Sequence, residues 1–226
     1  MSEALTIALA DGTSVSGLLD TPSSPRACYV FAHGAGAGMK HPFMSRFASD
    51  LGDHGIATLR YQFPYMERGT KRVDPPKVAH AAVRAAVVEA QRCLPGVPMY
   101  AGGKSFGGRM TSQAQALESM PLVRGLVFVG FPLHPAGKPA SERGDHLFDV
   151  AIPMLFLSGT RDELATLDLL EPLVAKLGAR VTLRLYDDAD HSFHVPARSG
   201  RSDADVRAAV AADVAAWIAT QGAALR

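Results

Sequence analysis

The sequence predicts an α/β fold: one mostly parallel sheet with an antiparallel N-terminal edge and helices on both faces. Short apolar runs alternate with longer helical patterns along the whole 226-residue chain, which is typical of strands joined by crossover helices. Residues 27–33 are apolar at nearly every position, as expected of a strand covered on both faces. The sequence contains no internal repeat and no linker, so residues 1–226 are expected to form a single domain.

The strand predictions follow from apolar runs and the residues that end them. Residues 5–9 and 15–19 are expected to form an antiparallel hairpin at one edge, because the intervening Asp11-Gly12 favours a tight turn. Further strands are predicted where Gly or Pro bounds an apolar run, at 27–33, 56–62, 98–103, 125–131, 153–158 and 181–186.

Three segments have helical patterns. Residues 76–94 place an apolar face at helical spacing, formed by Val78, Ala82, Val83, Ala86, Val87, Ala90 and Leu94. The last helix is predicted to begin at Ser202, with Asp205 completing an acidic capping box, and to bury Trp217 in the core. Residues 167–177 are also helical in pattern, but Pro172 favours a first turn, so the start of this helix stays open.

Charge and cysteine content exclude several classes of function. Lys and Arg number 23 against 22 Asp and Glu, so no strong field is available to attract nucleic acid or anionic lipid. Cys28 and Cys93 lie in apolar contexts without Cys-x-x-Cys spacing, which indicates reduced thiols. The sequence shows neither a leader pattern nor an apolar run of about 18 residues, so a soluble cytoplasmic protein is expected.

The most informative segment is residues 99–108, an apolar strand that runs into a glycine-flanked serine and then a helix. Gly103-Lys104-Ser105 is similar to the end of a phosphate-binding loop, but that motif requires glycine where the chain has Pro98. Gly103, Ser105 and Gly107 instead match Gly-x-Ser-x-Gly, in which a strained turn exposes the serine oxygen. On this pentapeptide alone, a helix-capping serine is an equal alternative.

Two downstream strands supply the partners that a serine nucleophile needs. Asp162 follows the strand at 153–158, and His191 follows the strand at 181–186. The carboxyl ends of parallel strands meet at one edge of a sheet, so Ser105, Asp162 and His191 are expected to converge there. A histidine base would activate the serine, and a carboxylate would orient the histidine.

These residues resemble the α/β-hydrolase family, and the likeness covers nearly the whole chain. It rests on four ordered motifs: Val-Phe-Ala-His-Gly at 30–34, Gly-Lys-Ser-Phe-Gly at 103–107, Gly-Thr-Arg-Asp at 159–162 and Asp-His-Ser-Phe at 190–193. The resemblance implies that Ser105 is the nucleophile, His191 the general base and acid, and Asp162 its orienting carboxylate. It also implies an oxyanion hole formed by the backbone N–H groups of Ala35 and Phe106.

Within the family, the chain is similar to the small lidless branch of dienelactone-hydrolase-like esterases and related testis-expressed and NSL-complex-subunit hydrolase-like proteins. Residues 131–135 and 137–139 contribute to this likeness. Dienelactone hydrolases carry a cysteine nucleophile, whereas this chain has Ser105. Lys104 also stands where many esterases have an aromatic, histidine or acidic residue. Dienelactone itself is therefore not the expected substrate.

Other polar residues and the glycine loop fit alternative functional roles less well. Asp187, Asp188 and Asp190 are rivals to Asp162 but are better explained as a solvated turn. The glycine loop at 34–38 fails the dinucleotide-binding pattern, which requires glycine at the position of Met39. His191 and His194 have a metal-like spacing without a third ligand, so no metal is predicted.

Several residues and one segment around the predicted site are expected to shape its surroundings. His33 is expected to support the glycine loop by hydrogen bonding. Lys104 and Arg109 are most simply surface or ion-pair residues, with a contact of Lys104 to the substrate or the triad's surroundings left open. Phe63, Tyr65 and Met66 either line the pocket or pack under it. The segment at 131–150 is too short for a lid with its own core, so an open site is expected.

The sequence as a whole favours a serine hydrolase that cleaves small esters or thioesters without a cofactor. The alternative is a non-catalytic interaction or sensing module with a hydrolase fold, because a fold does not guarantee a function. A nucleotide-binding protein is disfavoured, as are nucleic-acid and membrane partners. Substrate, acyl-chain length and oligomeric state are not determined by the sequence.

Overall fold

The computed structural model describes residues 2–70 and 72–223, and for residues 222 and 223 it describes the backbone alone. Within these residues, eight strands form one sheet. The strands are β1 (Glu3–Ala8), β2 (Ser14–Asp20), β3 (Ala27–Ala32), β4 (Ile56–Tyr61), β5 (Met99–Lys104), β6 (Val123–Val129), β7 (Met154–Gly159) and β8 (Val181–Tyr186). Their order across the sheet is β1-β2-β4-β3-β5-β6-β7-β8.

The predicted antiparallel edge and parallel centre are both confirmed. β1 and β2 form a hairpin in which Glu3 pairs with Leu19 and Ala8 with Ser14, and β2 pairs antiparallel with β4. From β4 to β8, every neighbouring pair is parallel. Parallel strands carry their C-terminal ends to the same edge, so the loops after β3, β5, β7 and β8 lie side by side.

Helices cover both faces of the sheet, as the sequence predicts. They are α1 (Pro42–Asp53), α2 (Pro64–Glu67), α3 (Pro76–Cys93), α4 (Phe106–Leu117), α5 (Leu167–Leu177) and α6 (Asp203–Ala223). Side chains of α1 and α6 pack on one face, and those of α3, α4 and α5 pack on the other. Along β3, Phe31 packs in the core under α1 and α6, and Val30 packs in the core under α3, α4 and α5. The central strand is therefore buried on both sides.

The predicted capping box at the start of α6 is confirmed, whereas Pro172 does not lie in the first turn of α5. The Asp205 carboxylate accepts hydrogen bonds from the Ser202 hydroxyl and N–H, and the Asp205 N–H donates to Ser202 Oγ, which closes the predicted capping box. Trp217 is buried and packs edge-on against Tyr100 at 5.8 Å. In α5, Pro172 lies past the first turn, so its ring removes one intrahelical hydrogen bond.

The segment between β6 and β7 adds no cap over the sheet. Residues Glu142–Asp149 form a 3-10 helix whose Leu147 is fully buried in the α3–α4–α5 core. Across residues 2–70 and 72–223, no helix is both long enough and apolar enough to cross a membrane.

Candidate active site

Ser105 occupies a sharp turn between β5 and α4. Its backbone has φ 51° and ψ −117°, a conformation that non-glycine residues adopt at a cost of about 1–3 kcal/mol. The Ser105 N–H donates to the Val129 carbonyl at 3.2 Å, and the Arg109 N–H donates to the Ser105 carbonyl. The Ser105 side chain makes no capping hydrogen bond to the helix, so the helix-capping alternative is wrong.

Glycines allow this turn to pack directly on the end of β3. A Cβ atom on either Gly103 or Gly107 would lie 2.5 Å from the Ala32 carbonyl oxygen, far inside the normal contact distance. A Cβ on Gly108 would lie 2.9 Å from the Gly103 carbonyl oxygen. The Gly-x-Ser-x-Gly spacing is therefore set by backbone contact between three neighbouring segments.

The structure brings Ser105, His191 and Asp162 together at the C-terminal edge of the sheet. The Ser105 hydroxyl lies 2.8 Å from His191 Nε2, and His191 Nδ1 lies 2.8 and 3.0 Å from the two Asp162 carboxylate oxygens. Asp162 also accepts a hydrogen bond from the Leu164 N–H at 2.8 Å, which fixes its orientation. The side chain of Asp162 is fully buried, whereas that of His191 retains 20 % exposure toward the cleft.

The electrostatics of the site favour a neutral imidazole. Burial lowers the pKa of His191 below its ordinary value, and the Lys104 charge lowers it further, whereas the hydrogen bond to Asp162 acts in the opposite direction. A neutral imidazole whose Nδ1 donates to Asp162 presents an unprotonated Nε2 to Ser105. This arrangement can accept the serine proton.

The resemblance implies an oxyanion hole formed by the backbone N–H groups of Ala35 and Phe106. Phe106 is the first residue of α4, so its N–H lies outside the intrahelical hydrogen bonds. The Ala35 N–H has no acceptor among the residues that the structure describes, whereas the neighbouring Gly36 N–H donates to Tyr65 Oη at 3.0 Å. Ala35 and Ser105 both line the cleft described below.

His33 supports the turn that carries Ala35, as the sequence predicts. Its Nδ1 donates to the Gly34 carbonyl at 2.7 Å, and its Nε2 accepts from the Phe63 N–H at 3.1 Å. Both contacts require a neutral ring, and burial lowers the pKa of His33 to about 4. Phe63 and Tyr65 are fully buried beneath this turn, so they pack under the pocket instead of lining it.

A cleft of about 360 Å³ opens beside Ser105. Its size lies at the lower end of the range for small-molecule sites. Apolar side chains of α1 and of the loop after β7 form much of the wall, and His191 forms another part. The lining residues are Gly34, Ala35, Ala37, His41, Phe43, Met44, Lys104, Ser105, Leu164, His191 and Ser192.

Lys104 is not the surface residue that the sequence favoured. It is half-buried, its ammonium donates to the His191 carbonyl oxygen, and it forms no salt bridge with any residue the structure describes. Arg109 is also half-buried, and its Nε has no hydrogen-bond partner within residues 2–70 and 72–223. Their orientation depends on which loops surround them, which local sequence does not encode.

The rival aspartates have other roles. One Asp190 carboxylate oxygen accepts from the N–H groups of Ser192 and His194, while Asp187 is exposed. His194 pairs with Asp203 at 3.0 Å on the surface, away from His191. Over the described ranges, no group of three or more His, Cys, Asp or Glu side chains could hold a metal ion.

A known protein family matches most of this chain. Residues 25–219 match the family model described as "Alpha/beta hydrolase domain". The chain belongs to the alpha/beta hydrolase family. The match covers strands β3 to β8, helices α1 to α5 and most of α6.

Solved structures share this alpha/beta hydrolase fold over nearly their full length. A serine hydrolase without a lid from Xanthomonas campestris has a TM-score of 0.75 at 22 % identity, covering 96 % of this chain and 94 % of that one. A dienelactone hydrolase from Anabaena variabilis has a TM-score of 0.78 at 20 % identity, covering 97 % of each chain. The protein Est1E from Butyrivibrio proteoclasticus, solved with bound ferulic acid, has a TM-score of 0.72 at 19 % identity, covering 95 % of this chain and 99 % of that one. At these identities, the likeness establishes the lidless fold.

Replacing Gly107 with Ala should destabilise the protein. The new methyl group would overlap the Ala32 carbonyl, so β3 or the Ser105 turn must move, at an expected cost of more than about 2 kcal/mol. Urea unfolding measures this cost. Gly52→Ala on α1 is the control, because nothing lies within 4 Å of its Cβ and a helical alanine is favoured by up to about 1 kcal/mol. Equal stability of the two variants would contradict the packing argument.

The buried His33 should make stability depend on pH. Its pKa is about 4 in the folded protein and near 6.5 when unfolded, so the unfolded chain binds the extra proton between these values. The free energy of unfolding should therefore fall by about 3 kcal/mol from this group as the pH drops from 7 to 4. Denaturant titrations at several pH values should show a flatter dependence for His33→Gln. An unchanged slope in His33→Gln would refute this account.

Proposed function

We propose that this protein is a serine hydrolase that cleaves small carboxylic esters or thioesters through an acyl-enzyme intermediate. The observation that carries the proposal is the continuous hydrogen-bonded chain from Ser105 Oγ through His191 to Asp162, with bonds of 2.8 Å on each side of the imidazole. Membership of the alpha/beta hydrolase family supports it. The structural likeness to an esterase domain from a Rhodothermus marinus protein is consistent with the same reaction class.

In the proposed acylation step, Ser105 Oγ attacks the substrate carbonyl carbon while His191 Nε2 takes the hydroxyl proton. Asp162 stabilises the imidazolium that forms. The N–H groups of Ala35 and Phe106 donate to the oxyanion, and the positive end of α4 favours the same charge. His191 then returns the proton to the leaving alkoxide or thiolate, which departs as alcohol or thiol.

Deacylation uses the same groups with water in place of the alcohol. His191 removes a proton from water, the resulting hydroxide attacks the acyl carbon, and Ser105 regains its proton as the acid leaves. The reaction requires no redox step and no external electron donor. The residual exposure of His191 in an open cleft gives water access to the acyl group.

The proposed substrates are small because the cleft is short and open on one side. Phe43, Met44 and Leu164 offer apolar contact for an acyl or alcohol group beside Ser105. In 131–150, the segment that could have formed a lid, the buried Leu147 ties the 3-10 helix to the core instead. A long acyl chain would therefore extend into water.

Fluorophosphonate labelling tests the nucleophile directly. The wild-type protein should label rapidly, whereas Ser105→Ala should lose the label, because an unactivated serine does not react at a comparable rate. Gel fluorescence and peptide mass spectrometry give the rate and the site. Ser112→Ala is the matched control, since Ser112 also lies 2.7 Å from a histidine nitrogen, that of His146, but is buried outside the cleft. Equal labelling of wild type and Ser105→Ala would reject the assignment, and an unreactive wild type would favour a non-catalytic module.

Replacing Asp162 with Asn should lower kcat by roughly 10³- to 10⁴-fold, because the amide no longer holds His191 in the required tautomer. Steady-state hydrolysis of 4-nitrophenyl acetate measures the loss. Asp187→Asn carries the same chemical change at an exposed position and should keep wild-type kcat. A comparable loss in both variants, or none in Asp162→Asn, would show that Asp162 is not the orienting carboxylate.

A panel of 4-nitrophenyl esters from acetyl to decanoyl should show a plateau. Each methylene that enters an apolar pocket contributes about 0.8 kcal/mol, or roughly fourfold in kcat/KM. The wall formed by Phe43, Met44 and Leu164 is expected to give such a gain up to about butanoyl, with less than twofold per methylene beyond it. A steady rise in kcat/KM to decanoyl would contradict an open, short cleft. Thioesters with the same acyl groups distinguish a thioesterase from an esterase.

A further inference from the structure

Lys104 is the charged residue of the Gly-Lys-Ser-Phe-Gly motif, and the reaction above gives it no role. It is the last residue of β5 and directly precedes Ser105. Its ammonium donates to the main-chain carbonyl of His191, a residue 87 positions away in the chain. The same ammonium lies 5.4 Å from the ring centre of Phe193 and 6.0 Å from that of Phe43, which is within or near cation–π distance.

The Lys104 ammonium and the His191 imidazole also flank the same small space. A Cβ built on Gly130 would lie 2.9 Å from Lys104 Nζ and 3.4 Å from His191 Cε1. Gly130 has φ +70°, which favours glycine, so this space stays free of a side chain. The Lys104 ammonium and the His191 imidazole therefore border one gap that no side chain of Gly130 fills.

We propose that Lys104 is a positioning residue for the general base. Its ammonium ties the His191 loop to the strand that carries Ser105, and its charge disfavours protonation of the imidazole. The inference rests on the proposed function, because His191 must be neutral to accept the Ser105 proton. It assigns to the residue before the nucleophile a role that acts through the histidine and not through the substrate.

Few contacts hold the loop that carries His191 at a set distance from Ser105. Asp190 makes local hydrogen bonds to the N–H groups of Ser192 and His194, and Phe193 has a positive φ of 64°. These contacts lie within the loop, and the hydrogen bonds from His191 to Asp162 join it to the segment after β7, not to β5. The Lys104 bond joins the two segments directly, so its loss should let Nε2 drift from Ser105 Oγ.

Several charged groups around the imidazole set the pKa of His191. Asp162 and Asp190 are negative and favour the imidazolium, whereas Lys104 is positive and opposes it. His41, the residue before α1, lines the same cleft. Burial lowers the pKa of Lys104 to about 8, so the ammonium is charged throughout the range below 6.5 in which His191 titrates. Removing this charge should therefore raise the pKa of His191.

The test compares Lys104→Met, Lys104→Arg and the control Lys77→Met, which removes an exposed lysine at the start of α3. The pKa of His191 is measured by NMR titration of its Cε1–H resonance, assigned with His191→Gln, and independently from the acid limb of kcat/KM. In Lys104→Met, both should rise by about one pH unit, so that kcat/KM at the acid extreme falls roughly tenfold more than it does on the neutral plateau. Its kcat should also fall about tenfold or more at all pH values, with KM within twofold. Lys104→Arg should restore the wild-type pKa.

Three outcomes would overturn the proposal. These are an unchanged His191 pKa in Lys104→Met, a change in KM without a change in kcat, or the same shift in Lys77→Met. The NMR titration does not require turnover, so the charge effect can be confirmed even if fluorophosphonate labelling rejects the hydrolase proposal. Thermal unfolding verifies that each variant is folded. If Lys104→Met is not, Lys104→Gln supplies the same comparison, and a wild-type pKa in that variant would equally reject the charge effect.

Discussion

The geometry of the candidate site depends on direct backbone contact between the turn after β5 and the end of β3. Gly103 and Gly107 lie so close to the Ala32 carbonyl that neither position has room for a Cβ atom. This contact holds Ser105 in a strained conformation, with its hydroxyl directed at His191 and away from the helix it precedes. The same turn lies beside the one that carries Ala35, because a Cβ atom on Gly34 would lie 3.8 Å from Ser105 Cβ. Strain of this kind persists only where the surrounding structure enforces it.

Different degrees of burial give Asp162 and His191 different electrostatic properties. Asp162 is fully enclosed and receives a hydrogen bond from the Leu164 N–H, so its orientation is fixed. His191 is partly exposed and favours the neutral form, because burial and the Lys104 charge together outweigh the attraction of Asp162. The sheet therefore supplies a fixed carboxylate, and the cleft leaves the imidazole accessible to a substrate and to water. These are the conditions for general base catalysis near neutral pH.

The sequence predicts much of the fold and the convergence of the polar groups, for physical reasons that differ between elements. β3 is recognisable because both of its faces are buried, and the capping box at Ser202 is a local pattern. The meeting of residues 105, 162 and 191 follows from parallel strand direction. Other features escape prediction because they depend on tertiary surroundings. Lys104 turns inward toward a carbonyl 87 residues away, and α5 tolerates Pro172 within its length because packing of Leu170, Leu173 and Leu177 stabilises it.

The central claim is that Ser105 forms a covalent acyl intermediate during turnover. Rapid-quench mass spectrometry of the protein mixed with 4-nitrophenyl acetate tests it most directly. The account predicts one acetyl group per molecule within the first turnover, located on the peptide that contains Ser105, together with a stoichiometric burst of 4-nitrophenol. Turnover without an acylated protein, or with the acetyl group on another residue, would contradict it.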